Sequence, residues 1–356
     1  MPTLWLFVYT LSTQYLEIKM ANMLVSSWAK NVDTMPENYV MPPDKRPGEL
    51  VSVGSNIPVI DLAKSSNHAG LVQEILKASQ EFGLFQVINH GISKKLMDDV
   101  MDLFKELFDM SAEEKENFCS KVSNTSCKLY GSGMNYADEE VHYWKDLLIQ
   151  PVFPIEEQRQ PWLDKPARYR ELVETYSSEM RTLSKRIMEL IGEGLGLEEG
   201  HFGKELSERQ ALVVNHYPPC PDPSSAMGSP PHCDPNLITF LQQKVYGLQV
   251  FKDGQWVGVH PLPYAFVVII GYQLQIISNN KLVAGEHRAI TNSESGRTSI
   301  GTFVAPAGDC IVEPTKALVN GGNSALFRAF KYQEFLDDFV AKKDSQKTLE
   351  AFKINC

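Results

Sequence analysis

Residues 248–271 read LQVFKDGQWVGVHPLPYAFVVIIG, and this stretch decides the fold. Leu248–Phe251 and Gln255–Val259 are short strand-like runs, and Lys252-Asp253-Gly254 between them is a tight hairpin turn. Ala265–Gly271 is a third such run. The same texture extends outward, with Ala211–Tyr217 and Leu237–Gln242 before it and Leu274–Ser278, His287–Ile290 and Thr298–Ala305 after it. Eight short strands in roughly a hundred residues predict a sandwich or jelly roll rather than a βαβ sheet.

The region before residue 200 has a different period. Ile57–Leu62 and Leu84–Ile88 read as strands. Leu71, Val72, Ile75, Leu76 and Phe82 mark one helical face that Gly83 ends, and a second helix follows Ser93. Ser111 with Glu114 forms a capping box. Pro166 opens a long helix with Tyr169, Leu172, Val173, Tyr176, Met180, Leu183, Ile187 and Ile191 at helical spacing, stopped by Gly192 and Gly194. The polar stretch 120–140 reads as a long mobile loop, and Tyr332–Val340 as an amphipathic helix packed back on the barrel. These elements predict a mainly β protein with flanking helices.

The composition excludes several classes. With a net charge of −10 over 356 residues the chain lacks the basic field that nucleic acid requires. The six cysteines form no CxxC pair, which fits reduced, unpaired thiols in a cytosolic protein. The apolar run Leu4–Leu11 is far shorter than the ~20 residues that span a bilayer, so no membrane association is expected. A monomer acting on a small molecule is the expected state.

The chemistry begins at His232-Cys233-Asp234. Residues i and i+2 of a strand share a face, so an imidazole and a carboxylate stand side by side with Cys233 directed away. His287, in Glu286-His287-Arg288 on another predicted strand, adds a second imidazole. Two histidines and one carboxylate leave coordination positions open, the ligand set of a non-haem iron(II) oxygenase. A hydrolytic zinc site shares these ligands, but its usual His-Glu-x-x-His helix is absent. Arg297 and Ser299 share a strand face and offer a guanidinium fork and a hydroxyl to a buried carboxylate. Asn215 and Tyr217 form another same-face pair suited to the same dicarboxylate, with His216 between them pointing outward.

Pro231-His232-Cys233-Asp234-Pro235-Asn236-Leu237-Ile238-Thr239 resembles the metal-ligand strand of the plant soluble 2-oxoglutarate-dependent dioxygenases. Asn215-His216-Tyr217-Pro218-Pro219-Cys220-Pro221, Glu286-His287-Arg288 and Arg297-Thr298-Ser299 are similar to the family's other core motifs. Ile57–Leu62 and Gly83–Gly91 are similar to its N-terminal region, so the resemblance runs from about residue 55 to the C-terminus. Cys220–Ser225, Tyr143-Trp144-Lys145-Asp146 and Lys128-Leu129-Tyr130 resemble the branch that holds hyoscyamine 6β-hydroxylase and the phytosiderophore dioxygenases. Gly131-Ser132-Gly133, Tyr272 and Ser324-Ala325 depart from that branch.

The resemblance implies a double-stranded β-helix (jelly roll) core wrapped by helices. It implies that His232, Asp234 and His287 hold Fe(II), that Arg297 and Ser299 grip the distal carboxylate of 2-oxoglutarate, and that Tyr217 and Asn215 support it. O2 is the second co-substrate and ascorbate the reductant; succinate and CO2 leave, and no catalytic residue beyond the metal ligands is expected. The expected substrate is a small plant specialised metabolite, hydroxylated first of all, with demethylation, desaturation or epoxidation as other outcomes. Tyr130, Tyr136 and Phe303 are expected to line its pocket, with Gly301 leaving room near the metal. No acid stands at 131–133 to meet a tropane amine, so Asp138 or Glu139 is left for that task if the loop folds inward. His90 is expected to be structural.

The expected organisation is a disordered or optional extension (1–22), an extended arm (23–55), an N-terminal helical and strand dioxygenase region (56–200), the jelly-roll domain (207–308) and a tail with a helix (309–356). Two other classes compete: a non-catalytic small-molecule-binding protein on the same barrel, and a metal-dependent hydrolase. A binding module needs no complete ligand triad, and a hydrolase has no use for Arg297.

Overall fold

Strands of two to nine residues bury their apolar faces only by layering or closing their sheets. The computed structural model describes residues 24–48, 51, 57–64, 67–119, 127–133, 139–158, 162–319 and 323–354. Residues 1–22, Tyr136 and Asp138 lie outside these. Among the described residues the strands are β1 Val59–Asp61, β2 Leu84–Ile88, β3 Lys128–Gly131, β4 Asp146–Phe153, β5 Arg209–Tyr217, β6 Met227–His232, β7 Ile238–Gln243, β8 Leu248–Lys252, β9 Gln255–Gly258, β10 Phe266–Ile270, β11 His287–Ile290, β12 Arg297–Ala305, β13 Ile311–Val312 and β14 Phe330–Lys331. The α-helices are α1 Val25–Trp28, α2 His68–Glu81, α3 Lys94–Asp109, α4 Ala112–Cys119, α5 Ile155–Gln158, α6 Tyr169–Gly194, α7 Tyr272–Ile277, α8 Tyr332–Lys342 and α9 Ser345–Ala351.

A large sheet runs β1-β2-β10-β7-β12-β5-β4-β3 and a smaller one β6-β11-β8-β9. From β5 to β12 the chain passes repeatedly between them, the winding of a double-stranded β-helix. The hairpin lies where expected: Lys252 pairs with Gln255, and Asp253 and Gly254 take φ of +51° and +80°.

The eight expected strands between 209 and 305 are eight in number, but one member differs. Leu274–Ser278, expected as a strand, forms the end of α7 and its C-cap, because so short a run carries no period to separate helix from strand. Met227–His232 is a strand despite Pro230 and Pro231; β6 is an edge strand, where a missing N–H is tolerated. The stretch 120–140 is not all loop: β3 lies inside it and pairs antiparallel with β4, which was not expected either. The segment 23–55 is not simply extended, since it contains α1 and short helical turns at Glu37–Tyr39 and Pro43–Lys45.

The helices wrap one face of the large sheet. Asn67 caps α2, Ser93 caps α3, and Ser111 and Glu114 bond reciprocally as the capping box requires. The helix expected from Pro166 begins at Tyr169 and carries Gly192 within it; its apolar face packs as expected. Gly83 turns the chain from α2 into β2 at φ +65°, and a Cβ there would meet the Val283 carbonyl at 2.6 Å. Leu212, Val214, Phe240, Phe266, Val268, Ile300 and Val304 face these helices in the main core, and the alternate residues of the same strands face the barrel interior. The tail helix is present as α8, with α9 packed beside it. Among the described residues, Cys127, Cys220, Cys233 and Cys310 form no disulfide, and no helix is long and apolar enough to cross a membrane.

Candidate metal and 2-oxoglutarate site

Register brings the first three candidates together. His232 on β6 pairs directly with His287 on β11, their ring centroids 4.3 Å apart. β6 ends at His232, so Asp234 sits just beyond the strand rather than on it. Its Oδ1 still lies 3.6 Å from His232 Nε2 and 3.8 Å from His287 Nε2. Each imidazole gives Nδ1 to a backbone carbonyl two residues back, Pro230 and Gly285, at 2.8 Å. That fixes the tautomer and turns both Nε2 lone pairs toward Asp234. Thr239 donates to Asp234 Oδ2 at 2.7 Å, and Asn236 donates to Thr239 at 3.0 Å. Burial, with His287 beside it, holds His232 down to about 4, so its ring is neutral. Three neutral or anionic donors aimed at one point are suited to a divalent cation. Among the described residues this is the one such group of three, with all ligand atoms within 4.8 Å.

Arg297 and Ser299 on β12 pair with Tyr217 and Asn215 on β5, so all four candidates form one patch. Arg297 is 2% exposed. Nε donates to the Val245 carbonyl at 3.1 Å and Nη2 to Gln243 Oε1 at 2.9 Å, while buried Nη1 has no partner. Asn215 Oδ1 and Gln243 Nε2 are likewise buried and unmatched. Buried polar atoms are rarely left so, and a cation with one free arm beside a hydroxyl and a phenol fits a carboxylate. Burial raises the Tyr217 pKa against the pull of Arg297, keeping the phenol protonated as a donor. Gly247 makes room for the arginine: a Cβ there would lie 2.7 Å from Arg297 Cδ.

Both sets open into one cavity of about 300 Å³ inside the barrel. Phe303 lines it as expected, and the space beside Gly301 is taken by the Phe303 ring. Tyr130, half-buried on β3, is not among its lining residues. Lys145, Thr239 and Phe339 line it and were not expected. Their signals were present: Lys145 and Thr239 stand inside motifs quoted for the family, and Phe339 on the tail helix. Glu139 folds inward to bond Ser132 at 2.5 Å and His142 at 3.0 Å, but it does not line the cavity. His216 does not point outward to solvent. It stacks on Phe108 at 4.9 Å, bonds Thr298, and is held down to about 4 by burial. His90 bonds the Tyr264 carbonyl and the Ile92 N–H, outside the cavity. A larger cleft of about 570 Å³ lies on the opposite face of β5 and β12, without a metal-ligating set among the described residues.

Residues 208–306 match the profile of the 2OG-Fe(II) oxygenase superfamily, and residues 57–171 that of the non-haem dioxygenase in morphine synthesis N-terminal region. The chain is 43% identical to hyoscyamine 6-dioxygenase of Hyoscyamus niger, over 93% of this chain and 98% of the relative. It is 37% identical to 2'-deoxymugineic-acid 2'-dioxygenase of Hordeum vulgare, over 85% and 89%. A crystal structure of JOX2 in complex with 2OG, Fe and JA superposes with a TM-score of 0.81 at 31% identity, covering 93% and 98%. The protein belongs to the 2OG-Fe(II) oxygenase superfamily. It is an oxidoreductase that uses Fe(II), 2-oxoglutarate and O2, and the binding-only reading falls.

Proposed function

We propose that His232, Asp234 and His287 hold the iron, that Arg297 and Ser299 grip the distal carboxylate of 2-oxoglutarate, and that Tyr217 and Asn215 support it. The observation that carries this reading is the unmatched, buried Arg297 Nη1 facing the same cavity as the ligand triad. When bound, iron with the keto acid and O2 supplies the oxidising chemistry, and succinate and CO2 leave. The chain's own residues do the rest. The backbone carbonyls of Pro230 and Gly285 orient the two imidazoles, Thr239 aims Asp234, and Leu147, Ile149, Leu241 and Phe303 keep the cavity apolar.

The substrate is a small specialised metabolite with an apolar ring system, and hydroxylation is its fate. Apolar walls around the ligand triad support this, as do relatives whose names are those of small-molecule dioxygenases. The protein works as a monomer in the cytosol, and the absence of a disulfide among the described cysteines supports the compartment. Purified protein with Fe(II), 2-oxoglutarate and ascorbate, offered a metabolite panel and read by mass spectrometry, tests the reaction. A substrate gaining one oxygen with matching succinate is expected; succinate formation that ignores the loss of Arg297 or His232 would refute the assignment. Elution as a dimer on size exclusion would refute the monomer.

A further inference from the structure

Strand alternation at the start of β4 divides four neighbours between two tasks. Trp144 and Asp146 face the N-terminal segment, Asp146 accepting the Val25 and Ser26 N–H groups at 2.6 and 2.9 Å. Lys145 and Leu147 therefore face the cavity. Lys145 is 8% exposed, and among the described residues its amine makes one hydrogen bond, a long one of 3.4 Å to Ser229 Oγ. Glu139 is the acid that acts on it, but it lies outside the cavity lining and its Oε2 is bonded by Ser132 and His142. Among the described residues no carboxylate comes within ion-pair distance of the Lys145 amine. Burial pulls the amine down to about 8, with Glu139 opposing and Arg297 adding to the pull. It thus remains largely a cation at neutral pH.

A buried ammonium with one weak partner is costly, and among the described residues no carboxylate pairs with it directly. Iron(II), Asp234 and Arg297 together are balanced by dianionic 2-oxoglutarate, both of whose carboxylates already have partners in the proposed arrangement. The Lys145 charge is left with only Glu139, at longer range, acting on it from the described carboxylates. The walls beside it, Leu147, Ile149, Leu241, Phe303 and Phe339, offer apolar surface alone.

We propose that Lys145 anchors a subsite for a carboxylate on the molecule being oxidised, so that the substrate is an apolar organic acid. This rests on the function proposed above and names the substrate class for the same cavity. A cationic amine is disfavoured there by the same charge.

The test uses the full chain, Lys145→Met and Lys145→Arg, with 3-phenylpropionate and 1-naphthylacetate set against their methyl esters. Binding is measured by calorimetry, both on the bare chain and with Mn(II) and 2-oxoglutarate present. The wild type is expected to prefer each acid over its ester. Lys145→Met should erase that preference by about 10- to 150-fold, and Lys145→Arg should restore much of it, with 2-oxoglutarate affinity held within about twofold. No acid binding more tightly than its ester, or a Lys145→Met defect confined to 2-oxoglutarate, overturns the proposal. Failure of the wild type to bind metal and 2-oxoglutarate would instead sink the proposed function, and acid preference on the bare chain then decides Lys145 alone.

Discussion

Replacing Arg297 with lysine separates the guanidinium geometry from its charge. The arginine is held at two points, Val245 O and Gln243 Oε1, and these leave Nη1 as the free arm. A lysine ammonium cannot reproduce both anchors and also meet an incoming carboxylate side by side with Ser299. Loss of one charge-assisted hydrogen bond is worth about 1.5–3 kcal/mol, or roughly 10- to 150-fold in 2-oxoglutarate affinity. The half-buried Val245 carbonyl and the buried Gln243 Oε1 also lose their donor, which lowers stability by about 1–3 kcal/mol for each that water cannot reach. Calorimetric titration of 2-oxoglutarate into the Mn(II)-loaded variant reads the first effect, and thermal unfolding reads the second. Gly247→Ala should push the same way with the arginine still present, because its methyl would press on Arg297 Cδ. Unchanged 2-oxoglutarate affinity in a folded Arg297→Lys protein would refute the reasoning.

Alanine at His232, Asp234 or His287 should abolish turnover and iron binding with circular dichroism unchanged; metal analysis showing normal iron in any one of them removes it from the site. Thr239→Val should leave the ligands in place but free Asp234 Oδ2, lowering metal affinity by about 10- to 100-fold, as measured by chelator competition. Asp146→Asn keeps one acceptor where two backbone N–H groups now bond a carboxylate. It should cost about 1.5–3 kcal/mol and expose the segment near Ser26 to limited proteolysis, and an unchanged digestion pattern would count against that anchor.

The sequence made the site more legible than the fold around it. Ligand chemistry is written in residue types: His232, Asp234, His287, Arg297 and Ser299 each admit few other uses at those spacings. The strand count between 209 and 305 was legible because turn chemistry such as Asp253-Gly254 is local. What failed was whatever depends on position in the sheet. Pro230 and Pro231 argue against a strand until β6 is known to be an edge. Leu274–Ser278 reads the same as helix or strand until the surrounding core fixes it. β3 was lost inside a polar stretch because pairing with β4, rather than its own pattern, holds it.

The same distinction explains why Lys145 does not stand out in the sequence as a cavity residue. With no acid at 131–133, the sequence leaves Asp138 or Glu139 to meet an amine, and Glu139 does come inward, but Ser132 and His142 bond its Oε2 outside the cavity lining. The charge that reaches the cavity is of the opposite sign and comes from Lys145, one residue from a buried aspartate that ties down the N-terminal segment. In Tyr143-Trp144-Lys145-Asp146 adjacent side chains serve opposite faces: Trp144 and Asp146 hold the scaffold, while Lys145 faces the cavity. A motif read only as a family marker thus contains both a structural anchor and a candidate determinant of specificity. Only the direction of each side chain, which the strand register supplies, tells them apart.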